Sequence, residues 1–208
     1  GNHVSRYEHL FSPLEVGPLT LKNRIVRSAH GTMLAGEKLI AYHEARAAGG
    51  VALSTLEATG VHAGAPSLTP LYSDACIPFY RELMSRMRPY GMAMFQQIYH
   101  PGSATRPKKA ATQISASAIP NPMVGGIPYE MTTGQIAEMV EAFGDAAWRC
   151  REGGLDGIDL YASSGYLIEQ FLSPANNVRT DEYGGSLENR MRFLMEIIQV
   201  IRDRVGDD

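Results

Sequence analysis

Short apolar runs alternate with stretches of helical periodicity along the 208-residue chain. The apolar runs predict buried strands at 24–28, 51–56, 92–98 and around Ile158 and Leu160. The periodic stretches predict helices at 39–48 and 73–90, from Thr132 to Cys150, and from Ser186 onward. Strands that alternate with helices form parallel sheets with right-handed crossovers, so the pattern predicts an α/β fold of about four βα units.

The two later helices carry the clearest local signals. Thr132 and Gln135 have the spacing of a capping box, and Gly153-Gly154 predicts the end of that helix. Its predicted buried stripe comprises Ile136, Met139, Val140, Phe143, Ala147 and Cys150. The last helix is predicted to bury a wide face formed by Leu187, Met191, Leu194, Met195, Ile198 and Ile201.

Two segments fall outside the βα repeat. Residues 10–26 predict a β-hairpin that turns at Gly17-Pro18, and we interpret it as a plug over the bottom of a barrel. Residues 101–131 are rich in Pro, Gly, Ser and Ala; because a loop of roughly 30 residues is uncommon and usually functional, we predict a lid. Within it, Lys108 and Lys109 predict a solvated surface, with docking of a phosphate-bearing substrate such as a CoA thioester as the alternative.

Composition narrows the class of protein. With 44% hydrophobic residues, 20% charged residues and a net charge of -3, the chain is predicted to be one soluble domain, 1–208, that binds neither nucleic acid nor membrane. Cys76 and Cys150 are isolated from each other in sequence, which predicts no metal or iron–sulfur site. They are interpreted as buried thiols of a cytoplasmic protein, consistent with the lack of a signal-peptide pattern.

The stretch 157–189 combines a strand, a polar turn, an aromatic run and a charged loop before the last helix. It resembles the Old Yellow Enzyme family of FMN-dependent oxidoreductases in Gly165-Tyr166-Leu167, in 170–174, in Asn177, Arg179 and Asp181, and in 183–190. The resemblance implies a TIM (β/α)8-type barrel. This chain would supply its N-terminal half, namely the hairpin and about four βα units.

The resemblance also implies which residues contact the flavin. They lie at or just after the ends of the first three predicted strands: Ala29, His30, Gly31, Ala58 and Gln97. An amide such as that of Gln97 both donates and accepts hydrogen bonds, which suits the polar edge of the ring. The alternatives from the residues alone are a strand-end amide that satisfies local backbone and, for His30, a structural histidine.

Tyr166 matches the tyrosine that protonates the substrate in ene-reductase members. A phenol, with a usual pKa of about 10, holds its proton at neutral pH and can act as an acid. The resemblance implies hydride transfer from NAD(P)H through non-covalent FMN to the β-carbon of an activated alkene, with Tyr166 protonating the α-carbon. The alternative for an isolated tyrosine is aromatic packing under a loop.

The sequence departs from the family pattern just before Tyr166. Ene-reductases carry His-x-x-Asn or His-x-x-His there, whereas this chain has Tyr161 and Ser164. Both side chains donate hydrogen bonds without carrying positive charge, so we assign them to substrate binding, and Tyr161 also to catalysis. A tyrosine at the first position is similar to the amine dehydrogenase and demethylase branch, which is the alternative activity.

The remaining signature residues are predicted to be structural. Arg179 and Asp181 can fix a loop, Gly184-Gly185 permits a tight turn, and Ser186 caps the helix. The resemblance places the FMN phosphate on the seventh and eighth βα loops, so these 208 residues alone are expected to bind FMN weakly or not at all, which leaves open whether they are active alone. A homo-oligomer, a separate C-terminal half-barrel and a non-catalytic half-barrel stay open as alternatives.

Overall fold

The computed structural model describes residues 6–106 and 112–208. Its strands are β1 (Leu14–Val16), β2 (Leu19–Leu21), β3 (Val26–Arg27), β4 (Leu53–Gly60), β5 (Ala93–Tyr99), β6 (Ile114–Ser115), β7 (Tyr129–Glu130) and β8 (Gly157–Leu160). Its helices are α1 (Gly36–Ala48), α2 (Ile77–Met87), α3 (Thr133–Glu152), α4 (Leu167–Leu172) and α5 (Leu187–Val205). Strands β3, β4, β5 and β8 form a parallel sheet in that order, which confirms the predicted α/β alternation.

The helix termini follow the local signals. Thr132 and Gln135 form the predicted capping box of α3, and the side chain of Ser186 caps α5 by accepting from the amide of Asn189. Helix α1 begins at Gly36, earlier than predicted, and its N-cap residue, Ala35, offers no side-chain hydrogen bond. The start of α1 therefore lacks the polar N-cap residue that marks the starts of α3 and α5.

One face of the sheet is covered by helices and carries the main core. The predicted stripe of α3 is confirmed, since each of its six residues is buried and all but Ala147 belong to this core. The predicted face of α5 is wrong in part: Leu187 is 60% exposed and Met195 is 52% exposed. Phe193 and Ile197 are the buried residues of that helix, because its contact with α3 and α4 is rotated from the face that the sequence suggested.

The outer strands of the sheet are less buried than predicted. Val26 is 48% exposed, and β3 is shorter than the predicted segment 24–28. Ile158 and Leu160 of β8 are only partly buried. Both strands lie at edges of the described sheet, where no further strand covers them.

The hairpin and the long connecting segment flank the sheet. Strands β1 and β2 pair antiparallel, with Gly17 at a positive φ of 57°, as predicted for the turn. Their leucines pack on Ala52, Leu53 and Ala93, at the amino-terminal ends of β4 and β5. The segment 101–131 was predicted to be a loop without strands, but its backbone pairs β6 with β7.

Two sequence features of the connecting segment, Lys108 and Lys109, lie outside the described residues. Its predicted role as a lid stays a prediction. Across 6–106 and 112–208, no helix is long and apolar enough to span a bilayer.

Candidate active site

The predicted site residues follow or end the four parallel strands. Gly31 follows β3, Ala58 lies near the end of β4, Gln97 lies near the end of β5, and Tyr161 follows β8. The carboxyl ends of neighbouring parallel strands share one edge of a sheet. These residues therefore occupy one rim, the edge at which α/β proteins place their chemistry.

A β-bulge shapes the middle of this rim. Leu56 pairs with Gln96 and Thr59 pairs with Ile98, so two residues of β4, Glu57 and Ala58, lie opposite one residue of β5. The second strand was predicted to end at residue 56, but 57–59 also belong to β4. The bulge places Ala58 beside Gln97.

A cavity of about 340 Å³ opens next to the bulge. Gly31 and Ala58 are part of its lining, together with Met33, Leu34, Glu57, Thr59, Ser67, Leu68, Thr69 and Tyr99. Glu57 fixes one wall, because its Oε2 accepts hydrogen bonds of 2.7 Å from both the amide and the hydroxyl of Thr32. The cavity is bounded mainly by aliphatic groups and small residues on the rim.

His30 is held away from this lining. Its Nδ1 lies 3.2 Å from Nη2 of Arg27, and its Nε2 lies 3.4 Å from the hydroxyl of Tyr42 on α1. The guanidinium of Arg27 in turn lies over the ring of Tyr42, 5.0 Å from its centroid. The structure thus brings Gly31 to the cavity and connects His30 with the helix layer.

Three tyrosine rings meet on the other side of the rim. The ring of Tyr99 lies 5.0 Å from that of Tyr166 and 6.1 Å from that of Tyr161, and the rings of Tyr161 and Tyr166 are 5.1 Å apart. Burial, followed by the neighbouring hydroxyls of Tyr166 and Tyr161, raises the pKa of Tyr99. Tyr99 therefore keeps its proton at neutral pH and presents a phenol to this cluster.

The turn that carries Tyr166 is held by side chains of α4. The amide of Gly165 donates to Glu169 Oε2 over 2.6 Å, and the carbonyl of Gly165 accepts from Gln170 Nε2 over 2.8 Å. Gln170 is 1% exposed and also accepts from the amide of Ser103, so it ties this turn to the exit of β5. Ser164 adopts a positive φ of 61° and is exposed, which places it at the outer edge of the turn.

Gln97 is oriented by the neighbouring strand. It pairs with Asp159 in the register of β5 and β8, and its Nε2 donates to Asp159 Oδ2 over 3.1 Å. The carboxylate accepts from the amide nitrogen, which leaves the oxygen end of the amide free of any hydrogen bond within the described residues.

Comparison with known proteins identifies the family. The profile of the NADH:flavin oxidoreductase / NADH oxidase family matches residues 9–208. The chain belongs to this family. Its members use FMN with NADH or NADPH as reductant.

Relatives and solved structures agree with this assignment. The chain is 38% identical to the NADH oxidase of Thermoanaerobacter brockii over 99% of its own length and 33% of the relative's. It is 36% identical to the multifunctional alkene reductase/demethylase of Caballeronia cordobensis, covering 96% of the chain and 31% of the relative. A complex of 2-naphthoyl-CoA reductase superimposes with a TM-score of 0.88 at 30% identity, covering 97% of the chain and 34% of that structure. The chain therefore spans about a third of these proteins, and the family's TIM-barrel architecture accounts for the four-stranded sheet.

The rim residues fit the ring portion of FMN. A side chain built on Gly31 would meet no atom within 4 Å, so the space before this backbone is open. Ala58 adds only a methyl group to the lining, and Gln97 offers an amide at the adjacent strand end. Open space, small residues and an amide suit a flat ring with one polar edge.

The sequence did not single out Tyr99, Glu57 and Asp159 as site residues. Tyr99 is two residues beyond Gln97 on β5 and therefore lies on the same face of the strand, a period-2 signal that the sequence did contain. Glu57 and Asp159 act through contacts with Thr32 and Gln97, which only the folded chain brings near.

The arrangement of the His, Cys, Asp and Glu side chains bears on metal and thiol chemistry. Among the residues that the structure describes, no group of three or more His, Cys, Asp or Glu side chains is arranged to hold a metal ion. Cys76 and Cys150 are free and buried, as predicted. Burial raises the pKa of the Cys76 thiol to about 11, and burial likewise raises the pKa of Cys150, so both remain protonated.

The loop after α4 has the structural role that the sequence predicted. Asn177 Nδ2 donates to the carbonyls of Phe171 and Tyr183, and Arg179 makes a two-pronged ion pair with Asp181. A side chain on Gly184 would collide with the backbone of Arg179, which explains the glycine at this turn.

This ion pair predicts acid sensitivity. Hydrogen bonding from Arg179 holds the pKa of Asp181 below its usual range. A depressed folded-state pKa stabilises the fold above the unfolded pKa of about 3.9, and this stabilisation is lost as pH falls through the folded value. We therefore expect Asp181→Asn to lower the melting temperature at pH 7 but to match the wild type progressively more closely below pH about 4. Thermal unfolding between pH 3 and 7 measures this, and a constant difference across the range would contradict it.

Proposed function

We propose that this chain forms the catalytic rim of an FMN-dependent oxidoreductase that uses NADH or NADPH to reduce an activated alkene. The supporting observation is the position of Tyr166, which packs against Tyr99 and Tyr161 at the same strand ends as Ala58 and Gln97. Small-molecule chemistry at this rim also agrees with the name of the alkene reductase/demethylase relative. The proposal includes a cytoplasmic location, supported by two free, buried cysteines.

FMN held at this rim would supply hydride transfer from the reduced nicotinamide to an electron-poor carbon of the substrate. Tyr166 would supply the matching proton to the adjacent carbon and regain one from solvent, so the alkene gains one hydride and one proton while NAD(P)H becomes NAD(P)⁺. Tyr161 would donate a hydrogen bond to the activating oxygen of the substrate, with Ser164 as a second donor. Gln97 would contact the polar edge of the ring, and Ala58 and Gly31 would allow the ring to approach the backbone.

Amine oxidation is the second candidate, and a specific observation favours it. Tyr161 stands where ene-reductases carry histidine, and it joins two further tyrosine rings. Aromatic faces attract ammonium groups, whereas neutral hydroxyls stabilise a developing oxyanion less well than a charged donor would. The demethylase activity in the name of the Caballeronia cordobensis relative is consistent with this alternative.

A cofactor and substrate assay separates these activities. We expect the full-length gene product to be yellow, to be bleached by NADH or NADPH without oxygen, and to be reoxidised by an enone or an enoyl thioester. Reduction of the flavin by methylated amines instead of by NADH or NADPH would favour the second candidate. A colourless product that takes up no added FMN would contradict both activities and leave the non-catalytic half-barrel.

A further inference from the structure

Gln96 occupies the centre of a buried polar network directly behind the rim. Its side chain points toward the helix layer, is 1% exposed and had no role in the sequence-based site. Its Oε1 accepts a hydrogen bond of 2.7 Å from the hydroxyl of Tyr80 on α2, which is itself fully buried. One end of this amide is therefore anchored to a helix.

The other end of the amide reaches the β-bulge. Gln96 Nε2 lies 2.8 Å from the carbonyl oxygen of Glu57, 3.1 Å from Thr59 Oγ1 and 2.8 Å from the carbonyl oxygen of Gln97. A bulge disrupts the regular ladder and leaves backbone groups without ladder partners. Gln96 supplies donors to these groups, so its side chain replaces backbone pairing where β4 carries the additional residue.

The position of these acceptors connects Gln96 with the proposed flavin contacts. The carbonyl of Glu57 immediately precedes Ala58, and the carbonyl of Gln97 belongs to the residue whose amide would contact the ring edge. Both backbone groups lie on the strand pair that carries these contacts. Their orientation fixes where the methyl group of Ala58 and the amide of Gln97 stand on the rim.

The chemistry of the network requires an amide. The side chain accepts from Tyr80 and offers two N–H groups to the carbonyls of Glu57 and Gln97, which Gln can do. A carboxylate or a thioether donates no hydrogen bond, and a protonated carboxyl group donates only one. Tyr80 in turn packs closely on Gly153, the C-cap of α3, where any side chain would collide with the Cβ of Tyr80. The orientation of the amide is thus set by two helices.

We propose that Gln96, anchored by Tyr80, is a positioning residue for the flavin: its amide holds the bulge that presents Ala58 and Gln97 to the ring. This inference rests on the proposed function only in that FMN binds at this rim. It does not depend on whether the substrate is an alkene or an amine.

Two substitutions test the amide directly. In the FMN-loaded full-length protein, Gln96→Met removes both polar ends, and Gln96→Glu keeps the acceptor for Tyr80 but leaves at most one donor for the carbonyls of Glu57 and Gln97. We expect each to weaken FMN binding by about tenfold or more, the equivalent of one hydrogen bond of typical strength, and to shift the flavin midpoint potential and visible spectrum. Tyr80→Phe leaves the amide in place but frees its acceptor end, so we expect a smaller effect in the same direction.

Ser54→Ala is the matched control. Ser54 lies on the same helix-facing side of β4, is fully buried and hydrogen-bonds His43 over 3.0 Å, but its strand partner is Met94, away from the bulge. We expect this variant to lose thermal stability while FMN affinity and midpoint potential stay at the wild-type values. Equal loss of FMN affinity in Ser54→Ala and Gln96→Met, at equal loss of melting temperature, would overturn the inference.

Amide hydrogen exchange supplies a readout that needs no cofactor. In the FMN-free protein we expect exchange in 57–60 to accelerate in Gln96→Met and Tyr80→Phe but not in Ser54→Ala. Unchanged exchange together with unchanged FMN affinity in the Gln96 and Tyr80 variants would also overturn the inference. A wild type that binds FMN but turns over neither alkenes nor amines would contradict the proposed function alone, and a wild type without FMN affinity would overturn both.

Discussion

Replacing Tyr166 with phenylalanine is expected to slow alkene reduction by about 10²–10⁴-fold, the usual contribution of a positioned general acid. Flavin reduction by NADH or NADPH should keep its wild-type rate, because that half-reaction takes no proton from Tyr166. The phenylalanine ring retains the packing on Tyr99 and Tyr161, at 5.0 and 5.1 Å, so the rim should keep its shape. Anaerobic stopped-flow absorbance resolves the two half-reactions.

A matched substitution separates the acid from any general effect of removing a hydroxyl. Tyr90 lies at the end of the segment that follows α2, and its hydroxyl bonds Glu44. Tyr90→Phe should leave both half-reactions unchanged. If an alkene reoxidises the reduced flavin of Tyr166→Phe as fast as that of the wild type, Tyr166 is not the proton donor.

Replacing Arg179 with methionine is expected to lower the free energy of unfolding by about 2–4 kcal/mol, chiefly because two buried carbonyls lose their donor, while the partly exposed Asp181 adds little. The Arg179 side chain is 5% exposed, and its Nη1 donates to the carbonyls of Ala116 and Met131 over 2.9 and 2.5 Å. The substitution leaves these carbonyls and the carboxylate of Asp181 without their donor. Urea denaturation of the wild type and variant measures the difference.

Two further substitutions separate the effect of the positive charge of Arg179 from the effect of its guanidinium geometry and its buried location. Arg179→Lys keeps the charge but lacks the planar fork that serves two carbonyls and a carboxylate together, so we expect only partial recovery. Arg151→Met removes an arginine whose side chain is 52% exposed and should change the free energy of unfolding by less than about 1 kcal/mol. If Arg179→Met lowers the free energy of unfolding by less than about 1 kcal/mol, the hydrogen bonds of Arg179 do not stabilise the fold as proposed.

Local signals in the sequence determined which parts of the fold could be predicted. The starts of α3 and α5 depend on Thr132 and Ser186 bonding to amides three residues away, and both were predicted correctly. The exposure of Val26 depends on which strands flank β3, which its own composition does not encode. The prediction of the buried face of α5 was wrong in part for the same reason, since the rotation of a helix on its neighbours is a tertiary property.

The candidate site divides in the same way. The motif around Tyr166 and the placement of Gln97 at a strand end were available from the sequence, because both follow recognisable patterns. The bulge at Glu57 and Ala58 was not, since it is a mismatch in register between β4 and β5 and exists only when the two strands pair. The role of Gln96 depends on that mismatch and on Tyr80, which is 16 residues away in sequence.

The order of the central strands bears on how the chain is made. In the sheet, β4 pairs with β3, β5 pairs with β4, and β8 pairs with β5, so each strand after β3 joins one that was synthesised earlier. A nascent polypeptide leaving the ribosome can therefore extend its sheet at one growing border, without waiting for a distant segment to be translated.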